Sequence, residues 1–146
     1  MIKMKFSVRP EQGRSSGFDL GDIVCEGESG SVSSVGHAPD QGMMIYPSVT
    51  LLLDCLRTLV TDGKKPVSFT GSDTSFRLDF RSNDNGFVSV SANGQLLGKS
   101  SIEDLAHEVL RPAQELADGE LSRLPVGDPV RSDYLSAVQE LRATVA

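Results

Sequence analysis

The chain opens on an alternation of apolar and polar residues. Met4, Phe6 and Val8 fall on one side of an extended segment over residues 3–9, and polar residues fall on the other. Successive side chains of a strand point to opposite faces of a sheet, so this pattern predicts a half-buried strand. A weaker alternation over residues 20–26 predicts a second strand.

The next segment, at about residues 27–44, is rich in Gly, Ser, Pro and Asp and poor in apolar side chains. Such a composition is typical of surface loops, because these residues favour turns and bury little apolar area. We therefore expect a mobile loop here, which can hold a short strand around residues 32–35.

Apolar residues then recur at helical spacing. The stripe predicts a helix that begins near Ser48, a favourable N-cap, and ends at Asp62. Its members are Val49, Leu52, Leu53, Leu56, Leu59 and Val60. Leu51 and Cys55 widen the apolar face, so we expect this helix to lie in the core against a sheet.

Three short alternating segments follow the helix and are separated by turns rich in Gly, Asn, Ser and Asp. They predict an antiparallel meander over about residues 67–92. One face of this sheet is apolar and consists of Val67, Phe69, Phe76, Leu78, Phe80, Val88 and Val90. The other face is polar and consists of Ser68, Thr70, Arg77, Asp79, Arg81, Ser89 and Ser91. Helices can cover only the apolar face, so the polar face should stay open.

Two further helices are predicted in the last third of the chain. The first of them begins at Ser100 or Ser101, Ser100 and Glu103 match a capping box, and Pro112 should kink or split the helix. An Asp-Pro pair at residues 128–129 is typical of a helix start and begins the second. Residues 120–146 therefore form a C-terminal helical extension, which opens with a linker rich in turn-forming residues.

Together these elements give the order β-β-α-β-β-β-α-α in a single α+β domain over residues 1–146. The predicted fold is an antiparallel sheet of about five strands with helices packed on one face. A chain of 146 residues is near the common size for one domain, and its 38% of hydrophobic residues is enough to build one core.

The formal net charge of −6 lies mostly in the last third, since residues 101–146 hold nine acids against four arginines. A negative field repels phosphate, and no cluster of Lys and Arg interleaved with aromatics offsets it, so we expect no nucleic-acid partner. No apolar run reaches the roughly 18 residues that span a bilayer, and the N-terminal residues lack the pattern of a secretory signal. We therefore expect a cytoplasmic protein with no membrane partner.

The residues that usually carry catalysis or bind metals are sparse. His37 and His107 have no second ligand at a metal-binding spacing, and Cys25 and Cys55 lie in apolar stretches without a CxxC motif. We interpret the two cysteines as small buried hydrophobic residues. No phosphate-binding or nucleophile-elbow motif occurs, so we expect a non-enzymatic protein with no cofactor, no metal and no catalytic residue.

The helix at about residues 48–62, followed by the hairpin meander at about residues 76–92, carries a resemblance. This order of elements resembles that of small uncharacterised actinobacterial α+β proteins, similar in architecture to the immunity proteins of polymorphic toxin systems. The resemblance spans about residues 4–116 and leaves residues 120–146 unaccounted for. It implies a stoichiometric inhibitor that covers the active site of a toxin, and an acidic surface would suit a basic toxin-like partner such as a nuclease.

Two surfaces are candidates for binding a protein. The candidate residues are Arg77, Asp79 and Arg81 on the polar sheet face and Glu103, Asp104 and Glu108 on the helix that follows. Either surface is otherwise a solvated face without a partner. A homodimer through a sheet edge, at the first strand or at residues 95–97, is also open. The alternative function is a small-molecule-binding protein or enzyme, with a pocket between sheet and helices under residues 27–44.

Overall fold

The structure is a computed structural model that describes residues 1–10, 12–83 and 85–146. Its strands and helices, in chain order, are β1 (Lys3–Val8), β2 (Leu20–Gly27), β3 (Gly30–Ser33), β4 (Met43–Met44), α1 (Ile45–Thr61), β5 (Val67–Thr70), β6 (Arg77–Ser82), β7 (Phe87–Ala92), β8 (Gln95–Ser101), α2 (Ile102–Gly119) and α3 (Pro129–Val145). A short 3-10 helix, Leu121–Arg123, follows α2. The predicted α+β class is confirmed. The turn predicted between β6 and β7 includes Asp84, which lies outside the described residues.

The strand count and order roughly fit the prediction, but the strands form two antiparallel sheets of four strands each. Sheet A has the order β1-β2-β3, and β4 pairs with the first residues of β2. Sheet B is a meander with the order β5-β6-β7-β8. The strands that exceed the predicted number are short, or their apolar pattern is interrupted. β3 and β4 lie in the Gly- and Ser-rich 27–44 segment, and Gly98 and Lys99 interrupt the apolar pattern of β8.

The two sheets meet where the turn between β2 and β3 touches β8. The Ser29 amide donates to the Leu97 carbonyl oxygen at 2.8 Å. A Cβ atom on Gly27 would lie 2.3 Å from the same oxygen, so this close approach of two backbones requires a residue without a side chain. The sheets are therefore joined through backbone groups.

Helix α1 begins at Ile45, before the predicted N-cap Ser48. No side chain caps it, and the Ile45 amide donates instead to the Asp19 carbonyl oxygen at 3.1 Å. The buried Ser48 hydroxyl donates to the Met44 carbonyl oxygen at 2.7 Å and accepts from the Ser72 amide at 2.8 Å. Ser48 therefore links α1 to the turn after β5, and its capping role was predicted wrongly.

Helix α2 runs through Pro112 to Gly119 without being split. Its N-cap is Ser101, whose hydroxyl oxygen accepts from the Asp104 amide at 3.1 Å, whereas the predicted cap Ser100 donates its hydroxyl to the Ser101 carbonyl oxygen. Residues on both sides of the proline are buried in the same core, which holds the two halves in one helix. They are Leu105, Val109, Leu110, Ala113 and Leu116.

Helix α3 starts as predicted, with the Asp128 carboxylate accepting from the Val130 amide at 2.9 Å. It packs against α1 and α2. The Tyr134 hydroxyl donates to the Ala113 carbonyl oxygen at 2.6 Å, and the Tyr134 ring meets the Tyr46 ring edge-on, with centroids 6.3 Å apart. The C-terminal helix therefore contributes buried side chains to the core.

Candidate functional site

The polar face predicted for the meander is present in sheet B and is open. The inner face packs on the core through the buried residues Phe69, Leu78, Phe80, Val88 and Val90. Side chains at the alternating positions point away from the core, and no helix of the described residues covers them. The outer face of sheet B, as we name this surface, consists of Ser68, Thr70, Arg77, Asp79, Arg81, Phe87, Ser89, Ser91, Leu96 and Lys99.

Three side chains of this face form one hydrogen-bonded network. The Ser68 hydroxyl donates to Asp79 Oδ1 at 2.7 Å, and Arg77 Nε donates to the same oxygen at 2.9 Å. Arg77 also donates to the Ser68 hydroxyl oxygen at 3.0 Å. The donors Ser68 and Arg77 hold the pKa of Asp79 below its ordinary value, because they stabilise the ionised carboxylate. The structure thus brings together two of the predicted site residues, Arg77 and Asp79.

The third predicted residue of the sheet, Arg81, lies in a row with Ser89 of β7 and Lys99 of β8. Neither Arg81 nor Lys99 forms an ion pair with a carboxylate of the described residues. With Arg77 and Asp79, the outer face of sheet B carries three cations and one carboxylate, whereas the whole chain has a formal charge of −6. This face is therefore locally basic on an acidic protein.

The outer face of sheet B also offers apolar area. A depression of about 400 Å³ on this face is lined by the charged residues of β6, by serines of β5 and β7 and by Leu96. The Leu96 side chain is 40% exposed, and Phe87, at the start of β7, is 48% exposed. A partner would therefore meet charged groups, hydroxyl groups and exposed apolar side chains on one surface.

The three predicted acids of α2 differ in their surroundings. Glu103 and Asp104 lie exposed in the first turn of the helix. Glu108 Oε1 accepts from the Arg111 guanidinium at 2.6 Å and from the Met4 amide at 3.3 Å. Glu108 is therefore engaged within the protein, where it bonds a backbone group at the outer edge of β1, and only Glu103 and Asp104 are presented to solvent.

A cleft of about 540 Å³ lies between the end of sheet B and α2. Phe87 and Lys99 of sheet B line one side, and Asp104, His107 and Arg111 of α2 line the other. The cleft forms because β8 passes directly into α2, so the end of the sheet and the first turns of the helix lie side by side. The sequence did not predict this cleft, since only residues 95–97 of β8 were considered as a sheet edge and its continuation to Ser101 was not predicted.

The remaining histidine and both cysteines lie outside these surfaces. Cys25 is fully buried, as predicted, and burial raises the pKa of its thiol to about 12. Burial also raises the pKa of the half-buried Cys55 thiol, which donates to the Ser68 carbonyl oxygen at 3.7 Å. A His37 ring nitrogen lies 2.7 Å from the Ser33 carbonyl oxygen.

In the described ranges, no three His, Cys, Asp or Glu side chains are grouped to hold a metal ion, and no helix has the length and apolarity to span a bilayer.

One ionic cluster could not be predicted from the sequence. Arg9 donates to both carboxylate oxygens of Asp40 at 2.8 Å and to those of Asp22 at 3.0 and 3.1 Å. Hydrogen bonds from Arg9 hold the pKa of Asp40 well below its ordinary value. Burial alone would raise the pKa of Asp22, but Arg9 and a 2.7 Å hydrogen bond from Ser34 more than offset it. The cluster ties the 27–44 segment to sheet A.

The two sheet edges considered for self-pairing each have a backbone group that is already bonded. At the β1 edge, the Met4 amide donates to Glu108. At the β8 edge, the Leu97 carbonyl oxygen accepts from Ser29. A second chain that pairs at either position would have to displace this bond.

Comparisons with protein-family models, with curated proteins and with solved structures found no match for this chain. We therefore infer its function from the charges, contacts and exposure of its own residues.

Proposed function

We propose that this protein is a non-catalytic protein-binding module and that the outer face of sheet B is its binding surface. One observation carries this proposal. Helices cover one face of a four-stranded sheet, and the opposite face presents charged and hydroxyl side chains that are held in place by mutual hydrogen bonds. Side chains that are ordered before binding lose less conformational entropy when a partner arrives. A broad sheet face also suits a protein better than a small molecule, which prefers a concave site.

The most specific form of this proposal is an immunity-type inhibitor that binds a toxin stoichiometrically and covers its active site. The order of α1 and the meander, which resembles that of immunity proteins, supports it. Such an inhibitor acts through complementary charge and shape and needs no reactive group of its own. We expect it to act in the cytoplasm. Glu103 and Asp104, exposed beside the outer face of sheet B, would serve a basic toxin-like partner.

A second candidate function is small-molecule binding in the cleft between the end of sheet B and α2. Its volume of about 540 Å³ is within the range of ligand pockets. Lys99 and Arg111 are balanced in its lining by Asp104 and Glu108, so a ligand there would have to match both signs of charge. Residues 27–44 do not line this cleft, so they would not cover the ligand. Native mass spectrometry of the protein from its own host would support this candidate through an added small mass, and the mass of the bare chain would count against it.

Affinity capture with three tagged baits tests the proposed binding surface. The first bait is the wild-type protein. The second carries Arg77→Ser, Asp79→Ser and Arg81→Ser on the outer face of sheet B, and the third carries Glu103→Gln and Asp104→Asn on α2. These side chains lie on the surface, so both variants should melt within a few degrees of the wild type.

We expect one protein to be captured stoichiometrically from the host lysate by the wild-type bait, in a salt-sensitive manner, and to be lost with the outer-face variant. Capture that is lost only with the α2 variant would move the interface to the helix. Equal capture by all three baits, or capture by none, would contradict the outer face of sheet B as the binding surface.

A further inference from the structure

The outer face of sheet B differs in sign from the molecule that carries it. Overall acidity suggests a basic partner, but the charge of the contact surface decides which partner fits. We infer that this face binds an acidic segment of a protein, rich in Asp or Glu, an inference that rests on the proposed binding role of the face.

The cations of this face that have no carboxylate partner among the described residues lie at one end of the sheet. Arg81 pairs in register with Ser89, and Ser89 pairs with Lys99, so the two cations stand two strand spacings apart, about 10 Å, with a hydroxyl between them. Lys64 and Lys65 lead into β5 at the same end, because Val67 is paired with the residue next to Arg81. The row of positive charge on the sheet itself therefore runs from Arg81 of β6 to Lys99 of β8.

The single carboxylate of the face does not cancel this row. Asp79 is bonded to Arg77 at 2.9 Å and to Ser68 at 2.7 Å, so its charge is already compensated on the side away from the row. Arg81 remains available to an incoming carboxylate, which a guanidinium can bind through two parallel hydrogen bonds. The hydroxyl of Ser89 adds a donor between the cations.

The surroundings favour an acidic peptide over a nucleic acid. The formal charge of −6 repels a long polyphosphate chain before it reaches the face. Asp104 lines the cleft together with Lys99, Glu103 precedes it in the first turn of α2, and both acids would repel phosphates that extend past the row. The same repulsion acts on an acidic peptide, but a short segment can stay on the cations of the sheet and so reaches fewer of these acids than a long polyphosphate chain does.

Titrations monitored by amide NMR shifts test this inference. Isotope-labelled protein is titrated separately with hexaglutamate, hexalysine and an oligothymidylate at low salt. We expect hexaglutamate to shift the amides of Arg81, Ser89 and Lys99 in a saturable manner, and hexalysine to leave them unshifted. Added salt should weaken the effect, because the contact is electrostatic.

Two double variants separate the proposed site from general charge effects. Arg81→Thr with Lys99→Thr removes the row, and Lys3→Thr with Lys5→Thr removes the same charge from exposed strand positions of sheet A. We expect the first variant to bind hexaglutamate at least about tenfold more weakly and the second to change by less than about twofold.

The outcomes of the three titrations distinguish failure of this inference from failure of the proposed function. Shifts at these amides with hexalysine instead would overturn the acidic partner but leave the face as a binding surface. Shifts with the oligothymidylate alone would assign the cations to phosphate and overturn the inference. No shift with any of the three would overturn it as well, and the capture experiment with the outer-face variant would then decide the proposed function independently.

Discussion

Arg9 donates from two nitrogen atoms to the two carboxylate oxygens of Asp40, at 2.8 Å each. This paired geometry matches a planar guanidinium to a planar carboxylate and is stronger than a single hydrogen bond. It joins the end of β1 to a residue that lies 31 positions further along the chain. A Cβ atom on Gly42 would lie 2.3 Å from the guanidinium, so a glycine is required for Arg9 to pack there.

Replacement of Arg9 should loosen the 27–44 segment and lower stability. Arg9→Gln leaves the nearly buried carboxylate of Asp22 without its cation, which should cost about 2 kcal/mol in the free energy of unfolding. Urea unfolding at neutral pH measures the change. Arg14→Gln, at an exposed arginine close by, is the control and should stay within about 0.5 kcal/mol of the wild type. Equal losses for the two variants would contradict the role of the cluster.

The Arg9 cluster also sets a pH dependence. The pKa values of Asp22 and Asp40 are lower in the folded protein than in the unfolded chain, where an aspartate has a pKa of about 3.9. Their contribution to the free energy of unfolding is therefore fully present above about pH 4 and is lost as pH falls through their folded-state pKa values. The stability difference between wild type and Arg9→Gln should be constant near neutral pH and shrink below about pH 4. A difference that persists undiminished in acid would count against this account.

The two tyrosines should not ionise in the native protein near pH 10. Burial raises the pKa of Tyr46 to about 12 and raises that of Tyr134 further. The neutral forms therefore favour folding, and this contribution is present below about pH 10 and lost as pH rises above it. Because the chain has two tyrosines and no tryptophan, the near-ultraviolet absorbance of tyrosinate reports on them directly. We expect a rise only on unfolding, and one native tyrosine titrating near pH 10 would contradict the packing of α1 against α3.

The junction of the two sheets should be sensitive to one methyl group. In Gly27→Ala, the added Cβ would lie 2.3 Å from the Leu97 carbonyl oxygen, so the backbones must separate, and we expect a loss of about 2 to 3 kcal/mol. The control is Gly119→Ala at the end of α2, where an added Cβ meets no atom within 4 Å. Urea unfolding of both variants gives the comparison. If Gly27→Ala is as stable as the control, the sheets do not meet as described.

The elements that could be predicted from sequence are those with a local signal. The apolar stripe of α1 is buried as its spacing indicated, through Leu52, Leu56 and Leu59. Asp128 caps α3 because the capping signal lies within a few residues of the helix start. The alternation of β5, β6 and β7 likewise separated the buried face of sheet B from its open face.

The elements that could not be predicted depend on distant residues. β4 is only two residues long and exists because Met43 and Met44 pair with the start of β2. α2 continues past Pro112 because both of its halves are held by the same core. Neither the pairing nor the packing leaves a pattern in the neighbouring sequence.

The residues of the candidate site also divide into those with a local sequence signal and those without one. Alternation alone placed Arg77, Asp79 and Arg81 on one face, where the structure has them. Lys99 was missed because the sheet edge was considered only at residues 95–97, whereas β8 continues to Ser101 and pairs with β7 through a register shift between Val90 and Ser91. Without Lys99, the positive charge of the face was not evident, and the expected partner followed the charge of the whole chain instead.

Calorimetric titration of the captured partner would test the outer face of sheet B as a binding surface directly. The wild type is compared with Arg77→Ser/Arg81→Ser and with Arg123→Ser/Arg142→Ser, which removes the same charge from exposed positions outside sheet B. We expect the sheet variant to bind at least about tenfold more weakly and the control to bind within about twofold of the wild type. Equal affinities for the two variants would contradict the proposal that this face binds the partner.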